Sequence, residues 1–353
     1  MTGTGGGTTS LVVDGAKTLL FPTAYDEDPI YNRDEAAVLR FSETGTLVWK
    51  QRLYRNGTGI FSTRIATSRT RVAVLGDGSV VMSSVVSTNS TGTRLVGAGD
   101  VEQPTVAVTV SGGTFAGVLA GFGSNGQPLW AKALGMAYVP TGTETAGVDT
   151  QIEIAAVRPN PGGGFLVTGF GFAPYQAAVG GRLKLAADAI AGVEVTKDAS
   201  KGLLELGFVA RYDTGGSAQW ARACAPSQTG KFPAHPNALV DAVGGLVGGG
   251  VVIAGRGTSD MVCGIGSGST QTISLKSGMY FSALTSDGTT KGSVPVEGWT
   301  WELDETNGRI APLPSGGAVL LTRVSGVAGI GSLRFDEPRS GNVVLRVGPS
   351  GLP

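Results

Sequence analysis

The sequence predicts an all-β chain folded as a five-bladed β-propeller with one blade split between the two termini. Three observations carry this. A hairpin pattern recurs as AVLRFSETGTLVW (37–49), VLAGFGSNGQPLW (118–130) and FVARYDTGGSAQW (208–220): an apolar strand, a glycine turn, then a strand reaching tryptophan. A second turn with β-branched residues behind it follows each hairpin, as VAVLGDGSVVMSSVV (72–86), AAVRPNPGGGFLVTGFG (155–171), DAVGGLVGGGVVIAGRG (241–257) and RIAPLPSGGAVLLTRVSG (309–326). Glycine supplies 58 of 353 residues, more than twice the usual share, scattered among Val, Leu and Thr as many short strands with tight turns require.

In chain order, residues 1–9 read as a flexible Gly/Thr linker and residues 10–353 as a single propeller domain. The turns at Gly45, Gly126 and Gly216 mark the first three hairpins. Weaker copies at Asp287–Gly288 and Gly351 mark two more. Combining each hairpin with the turn segment behind it gives blades at about 33–113, 114–202, 203–279 and 280–341. SLVVDGAKTLLFPTAY (10–25) has no hairpin before it, and NVVLRVGPSG (342–351) has nothing behind it. Residues 342–353 and 10–32 are therefore expected to join as the fifth blade, its missing strand either supplied by residues 1–9 or lost by a cut of the chain inside that blade. Two long insertions, 87–113 and 172–202, read as extra hairpins projecting from blade edges, where binding function would sit.

A four-stranded sheet cannot bury both faces alone, but stacked sheets cover one another. Trp49, Trp130 and Trp220 recur at one place in the hairpin and are expected to fill the wedge between neighbouring blades, each ring burying about 200 Å².

FVARYDTGGSAQWARA (208–223), AVLRFSETGTLVWKQRL (37–53), DGSVV (77–81) and GGGVVIAGRG (248–257) resemble the bacterial β-propeller repeat family called SBBP. The unit at 280–340 departs from it, with no tryptophan after its turn (GTTKGSV). The resemblance implies a fold and an exported or surface-anchored location. The shared motif is structural, so it transfers no functional residues.

The densest polar stretch is YDEDPIYNRDE (25–35). Asp26, Asp28, Asn32 and Asp34 form a weak calcium candidate, since Ca²⁺ takes several carboxylate and carbonyl oxygens. The segment lacks regular Asp-x-Asp-x-Asp-Gly spacing and is broken by Pro29, so a solvated acidic loop is the competing reading. No other cofactor is expected. Asp77, Asp241 and Asp304 are the carboxylates weighed for glycan hydrolysis, but they occupy unequal positions in their units. His235 lies in a Pro-rich loop without a G-x-S-x-G partner. Trp299 and Trp301 alternate in WTWELDE and read as inter-blade packing, with stacking against a sugar or a partner from a sheet edge as the competing reading. Cys224 and Cys263 read either as a disulfide closing a loop of about 40 residues, worth about 4 kcal/mol, or as two buried thiols.

Lys+Arg and Asp+Glu are both 27, which argues against nucleic-acid binding, and no apolar run is long enough for a membrane-spanning helix. The opening MTGTGGGTTS, without a basic region or an apolar core, does not read as a signal peptide, so the native signal is expected to be absent from this sequence. The expectation is a non-enzymatic extracellular or cell-surface module for binding a protein or polysaccharide or for structural assembly, with self-association among its modes. A phage or virion component, tail or capsid-associated, is the first alternative, and a glycan-active hydrolase the second.

Overall fold

The computed structural model describes residues 12–14, 18–26, 34–42, 45–55, 65–88, 92–97, 106–110, 114–139, 151–173, 182–186, 193–196, 204–227, 238–267, 269–274, 278–297, 309–313, 317–330 and 333–348. Among them every regular element is a β-strand and every pairing is antiparallel.

Unit 1 comprises β1 (Val12–Asp14), β2 (Thr18–Asp26), β3 (Asp34–Phe41) and β4 (Leu47–Arg55). Unit 2 begins with β5 (Ile65–Val74) and β6 (Val80–Thr88). The chain then leaves as a hairpin, β7 (Gly92–Gly97) and β8 (Val106–Val110), and returns as β9 (Thr114–Phe122) and β10 (Pro128–Val139). Unit 3 repeats the plan: β11 (Gln151–Pro159) and β12 (Phe165–Ala173), an excursion β13 (Arg182–Ala186) and β14 (Val193–Thr196), then β15 (Leu204–Tyr212) and β16 (Ala218–Pro226). Unit 4 does so again with β17 (Ala238–Gly245), β18 (Val251–Gly257), the excursion β19 (Met261–Ile265) and β20 (Gln271–Ile273), then β21 (Gly278–Leu284) and β22 (Thr290–Glu297). Unit 5 has β23 (Arg309–Pro312), β24 (Ala318–Ile330) and β25 (Leu333–Val347).

Each excursion hairpin pairs not with its own unit but with the outer strand of the unit before it. β7 lies on β4, β13 on β10 and β19 on β16, giving sheets of order β1-β2-β3-β4-β7-β8, β5-β6-β9-β10-β13-β14 and β11-β12-β15-β16-β19-β20. In unit 5 the far end of the long β24–β25 hairpin does the same, with Val296 opposite Ile330 across β22 and β24. Consecutive sheets are thus laced by hydrogen-bonded strands as well as by packing.

The registers fix which segments share a sheet. Val80 lies opposite Phe122, Phe165 opposite Tyr212 and Val251 opposite Leu284. Each second-turn segment therefore pairs with the hairpin that follows it across the excursion, and not with the hairpin before it. This corrects the grouping into 33–113, 114–202, 203–279 and 280–341. A periodic text has no marked beginning, so repetition alone leaves the phase open. The same registers remove the split blade: Leu20 pairs with Arg40 in unit 1, whereas Val344 pairs with Leu321 in unit 5. Residues 1–9, one of the two sources expected for that blade's missing strand, lie outside the described residues. The two insertions, 87–113 and 172–202, do carry hairpins, but these are docked on the neighbouring sheet instead of projecting from an edge.

The core lies between sheets. Val38, Trp49 and Leu53 of unit 1 pack with Val72, Met82 and Val118 of unit 2. Leu119 and Leu134 meet Ile152, Phe165 and Phe208 between units 2 and 3. Val209 and Trp220 meet Val240, Val251 and Tyr280 between units 3 and 4, and Val252 and Phe281 meet Ile310 and Leu345 between units 4 and 5. A strand covered on both faces needs no polar alternation, and β21, GMYFSAL, is buried at every position.

Candidate functional site

The recurring tryptophans form the most regular constellation. Each stands on the outer strand of its unit and reaches the hairpin turn of the next. The Trp49 indole N–H donates to the Ser124 carbonyl (3.3 Å), that of Trp130 to Thr214 (3.0 Å) and that of Trp220 to Ser286 (2.8 Å). The ring lies on the turn glycine: a Cβ at Gly126, Gly216 or Gly288 would stand 2.6, 2.6 or 2.8 Å from the ring of Trp49, Trp130 or Trp220. These glycines also hold positive φ, at 85°, 76° and 81°. One residue type thus meets two demands, backbone hand and access for the ring. Arg40 and Arg211 donate to the same Ser124 and Ser286 carbonyls. In unit 2 the equivalent position is Gly121, opposite Trp130, where a side chain would collide with the indole. Arg222 adds to the third clasp, stacking 5.5 Å over Trp220 and donating to Gly288 (3.0 Å) and Asp287 (2.6 Å) carbonyls. The three tryptophans were expected to pack between neighbouring sheets, and that packing is found.

Cys224 and Cys263 are bridged. They lie opposite each other on β16 and β19, with Cα atoms 4.1 Å apart. The bond therefore joins the outer strand of unit 3 to the hairpin sent back by unit 4. The equivalent pair on β4 and β7 is Leu53 and Val96, both fully buried.

A charged group sits between units 3 and 4. Asp241 occupies the bulge of β17 and accepts two bonds from Arg256 of β18, Nε to Oδ2 at 2.7 Å and Nη2 to Oδ1 at 2.9 Å. Burial opposes the Arg256 charge, but the Asp241 bonds and the carboxylates of Asp241 and Glu205 outweigh it and raise its pKa. Burial and the neighbouring Glu153 push Glu205 up to about 7, against a smaller opposing pull from Arg256. Burial, with Asp241 nearby, raises Tyr280 well above the usual phenol value, and its hydroxyl donates to the Leu239 carbonyl at 3.0 Å. Glu153 and Glu205 were not legible as a pair, since they lie 52 positions apart in mixed text and neither repeats.

Of the calcium candidates, Asp26 and Asp34 are register partners of β2 and β3. Asp28 and Asn32 lie outside the described residues, among which no group of three or more His, Cys, Asp or Glu is placed to hold a metal. The three carboxylates weighed for hydrolysis do not converge. Asp77 caps the β5–β6 turn, accepting from the Ser79 hydroxyl (2.5 Å) and N–H (3.0 Å), which lowers its pKa. Asp241 is engaged with Arg256, and Asp304 lies outside the described residues, as do His235, Trp299 and Trp301. No described helix is long and apolar enough to cross a membrane. Comparison with family models and with curated proteins found no match.

Proposed function

We propose that this chain is a non-enzymatic module, its five units acting as propeller-type blades, that serves structural assembly or holds a protein or polysaccharide partner outside the cell. The observation that carries this reading is where the recurring residues are used. Trp49, Trp130 and Trp220, the turn glycines beneath them and Arg40 and Arg211 all serve to fasten one sheet to the next. The Cys224–Cys263 bridge supports an oxidising compartment, which favours a secreted or cell-surface setting over a cytosolic one. The wording it shares with SBBP-type repeats points the same way. Assay of the purified chain against a panel of polysaccharides and aryl glycosides, alongside binding to the same polymers, tests the reading. Binding or self-association without turnover is expected; turnover above background overturns it.

Glu153 and Glu205 favour glycan hydrolysis as the second reading. Two interacting carboxylates, one of them holding its proton near neutrality, are what acid-assisted glycoside cleavage uses. On that reading Glu205→Gln abolishes turnover while leaving polymer binding in place.

A further inference from the structure

The interfaces between consecutive units repeat one contact, and its two halves can be named among the described residues. On the third strand of each unit, one residue faces the next unit: Val38, Leu119, Val209 and Phe281, at equal distances before the hairpin turn. All four are exposed by 2 % or less. The equivalent residue of unit 5 is Val344 on β25, and it is 68 % exposed. On the receiving side, the turn glycine and the residue two places on face the preceding unit. Gly126 with Pro128 and Gly216 with Ala218 are buried, and Gly288 is buried with Thr290 half-buried. In unit 1 Gly45 is exposed and Leu47 is 48 % exposed.

The receiving face of unit 1 is formed like the others. Its turn makes the same two backbone bonds, Ser42 N–H to Thr46 O and Gly45 N–H to Ser42 O. They match Gly123 to Gln127 and Gly126 to Gly123 in unit 2. Gly45 has φ 79°, within the range of its three covered counterparts. Nothing stands within 4 Å of a Cβ built on Gly45, where the other three meet an indole. Units 1 and 5 therefore carry the two halves of an interface whose both sides are met three times among the described residues. Arg346, exposed, follows the pattern of Arg40 and Arg211, one residue before the position of Phe41 and Tyr212.

We propose that these two faces mate between copies of this chain, head to tail: the Val344–Arg346 face of one copy against the Gly45–Leu47 face of the next. This rests on the assembly reading above. The partner is a second copy because the mating surface continues the internal interface. Among the described residues the two faces do not cover each other, and unit 1 has no hairpin between β2 and β3, where the later units send back whole hairpins. A heterologous contact of this kind propagates into a filament or closes into a ring of several chains.

The test is light scattering on the oxidised full-length chain over a concentration series. Wild type is expected to rise above the monomer mass of 35.7 kDa with concentration. Leu47→Asp and Val344→Asp alone are each expected to stay monomeric. Their equimolar mixture is expected to stop at twice the monomer mass, because one intact face remains on each variant. Both residues are exposed, and circular dichroism confirms folding; should an aspartate unfold the chain, Leu47→Ser and Val344→Ser carry the same test. Wild type monomeric throughout the series overturns the proposal, as does an assembly that neither substitution affects. In the first case polymer binding without turnover would leave the non-enzymatic module reading standing; glycan turnover would remove that reading whatever the mass.

Discussion

Replacing Trp220 isolates the clasp between units 3 and 4. The side chain is 7 % exposed, so Trp220→Ala removes nearly the whole indole from the interface. Burying about 200 Å² at about 25 cal/mol per Å² is worth about 5 kcal/mol, and measured large-to-Ala changes of this kind cost about 3–5 kcal/mol. Trp220→Phe keeps an aromatic face on Gly288 but loses the indole donor. Arg211 still donates to the Ser286 carbonyl at 2.9 Å, so that acceptor keeps a partner and the change is expected to cost only about 1 kcal/mol beyond the smaller ring's lost area. The assay is urea unfolding of wild type and both variants, with hydrogen exchange on the 285–289 turn. Alanine should lower stability by about 4 kcal/mol and deprotect that turn, while phenylalanine stays well above it. Equal losses for the two variants, or a cost below about 1 kcal/mol for alanine, would refute the clasp as a source of stability.

Three further outcomes follow from the same geometry. Glu205 has an ordinary value of 4.5 and a folded value of about 7, so as pH rises through that window the unfolded chain ionises first and stability falls. The loss amounts to about 3 kcal/mol by pH 8, and Glu205→Gln, melted at pH 5 and pH 8 beside wild type, should flatten it. Replacing both Cys224 and Cys263 by serine opens a loop spanning 39 residues and should cost about 4 kcal/mol in urea midpoint experiments. Gly216→Ala puts a Cβ 2.6 Å from Trp130 on a residue at φ 76°, and should cost about 2–3 kcal/mol in the same assay.

The strands, the turns and the clasp residues were legible because each is fixed locally. Alternating Val, Leu and Thr make the strands, Gly216 sets the hand of its turn, and Trp220 recurs at the same offset behind it. The assignment of hairpins to sheets was not legible. β6 ends at Thr88 and its partner β9 begins at Thr114, and only the register, Thr88 opposite Thr114, shows that the intervening hairpin leaves and comes back. The lacing was hidden for a related reason. β19 and β20 are short and lie in a stretch of near-average repeat length, so no lengthening of the period betrayed them as it did at 87–113 and 172–202. The Asp241–Arg256 pair joins neighbouring strands of unit 4, and the proton held on Glu205 depends on burial and on Glu153 two strands away in unit 3; both need the strand registers, which single-strand patterns do not encode.

The lacing of each unit onto the one before it is the claim on which the rest depends, and Leu53 with Val96 tests it directly. These residues occupy the places on β4 and β7 that Cys224 and Cys263 occupy on β16 and β19. In a Leu53→Cys/Val96→Cys variant, peptide mapping by mass spectrometry without reduction should recover a second disulfide linking the 53 and 96 peptides beside the native one. Two free thiols at 53 and 96, with the native bridge intact, would mean that the hairpin of unit 2 does not lie on the sheet of unit 1.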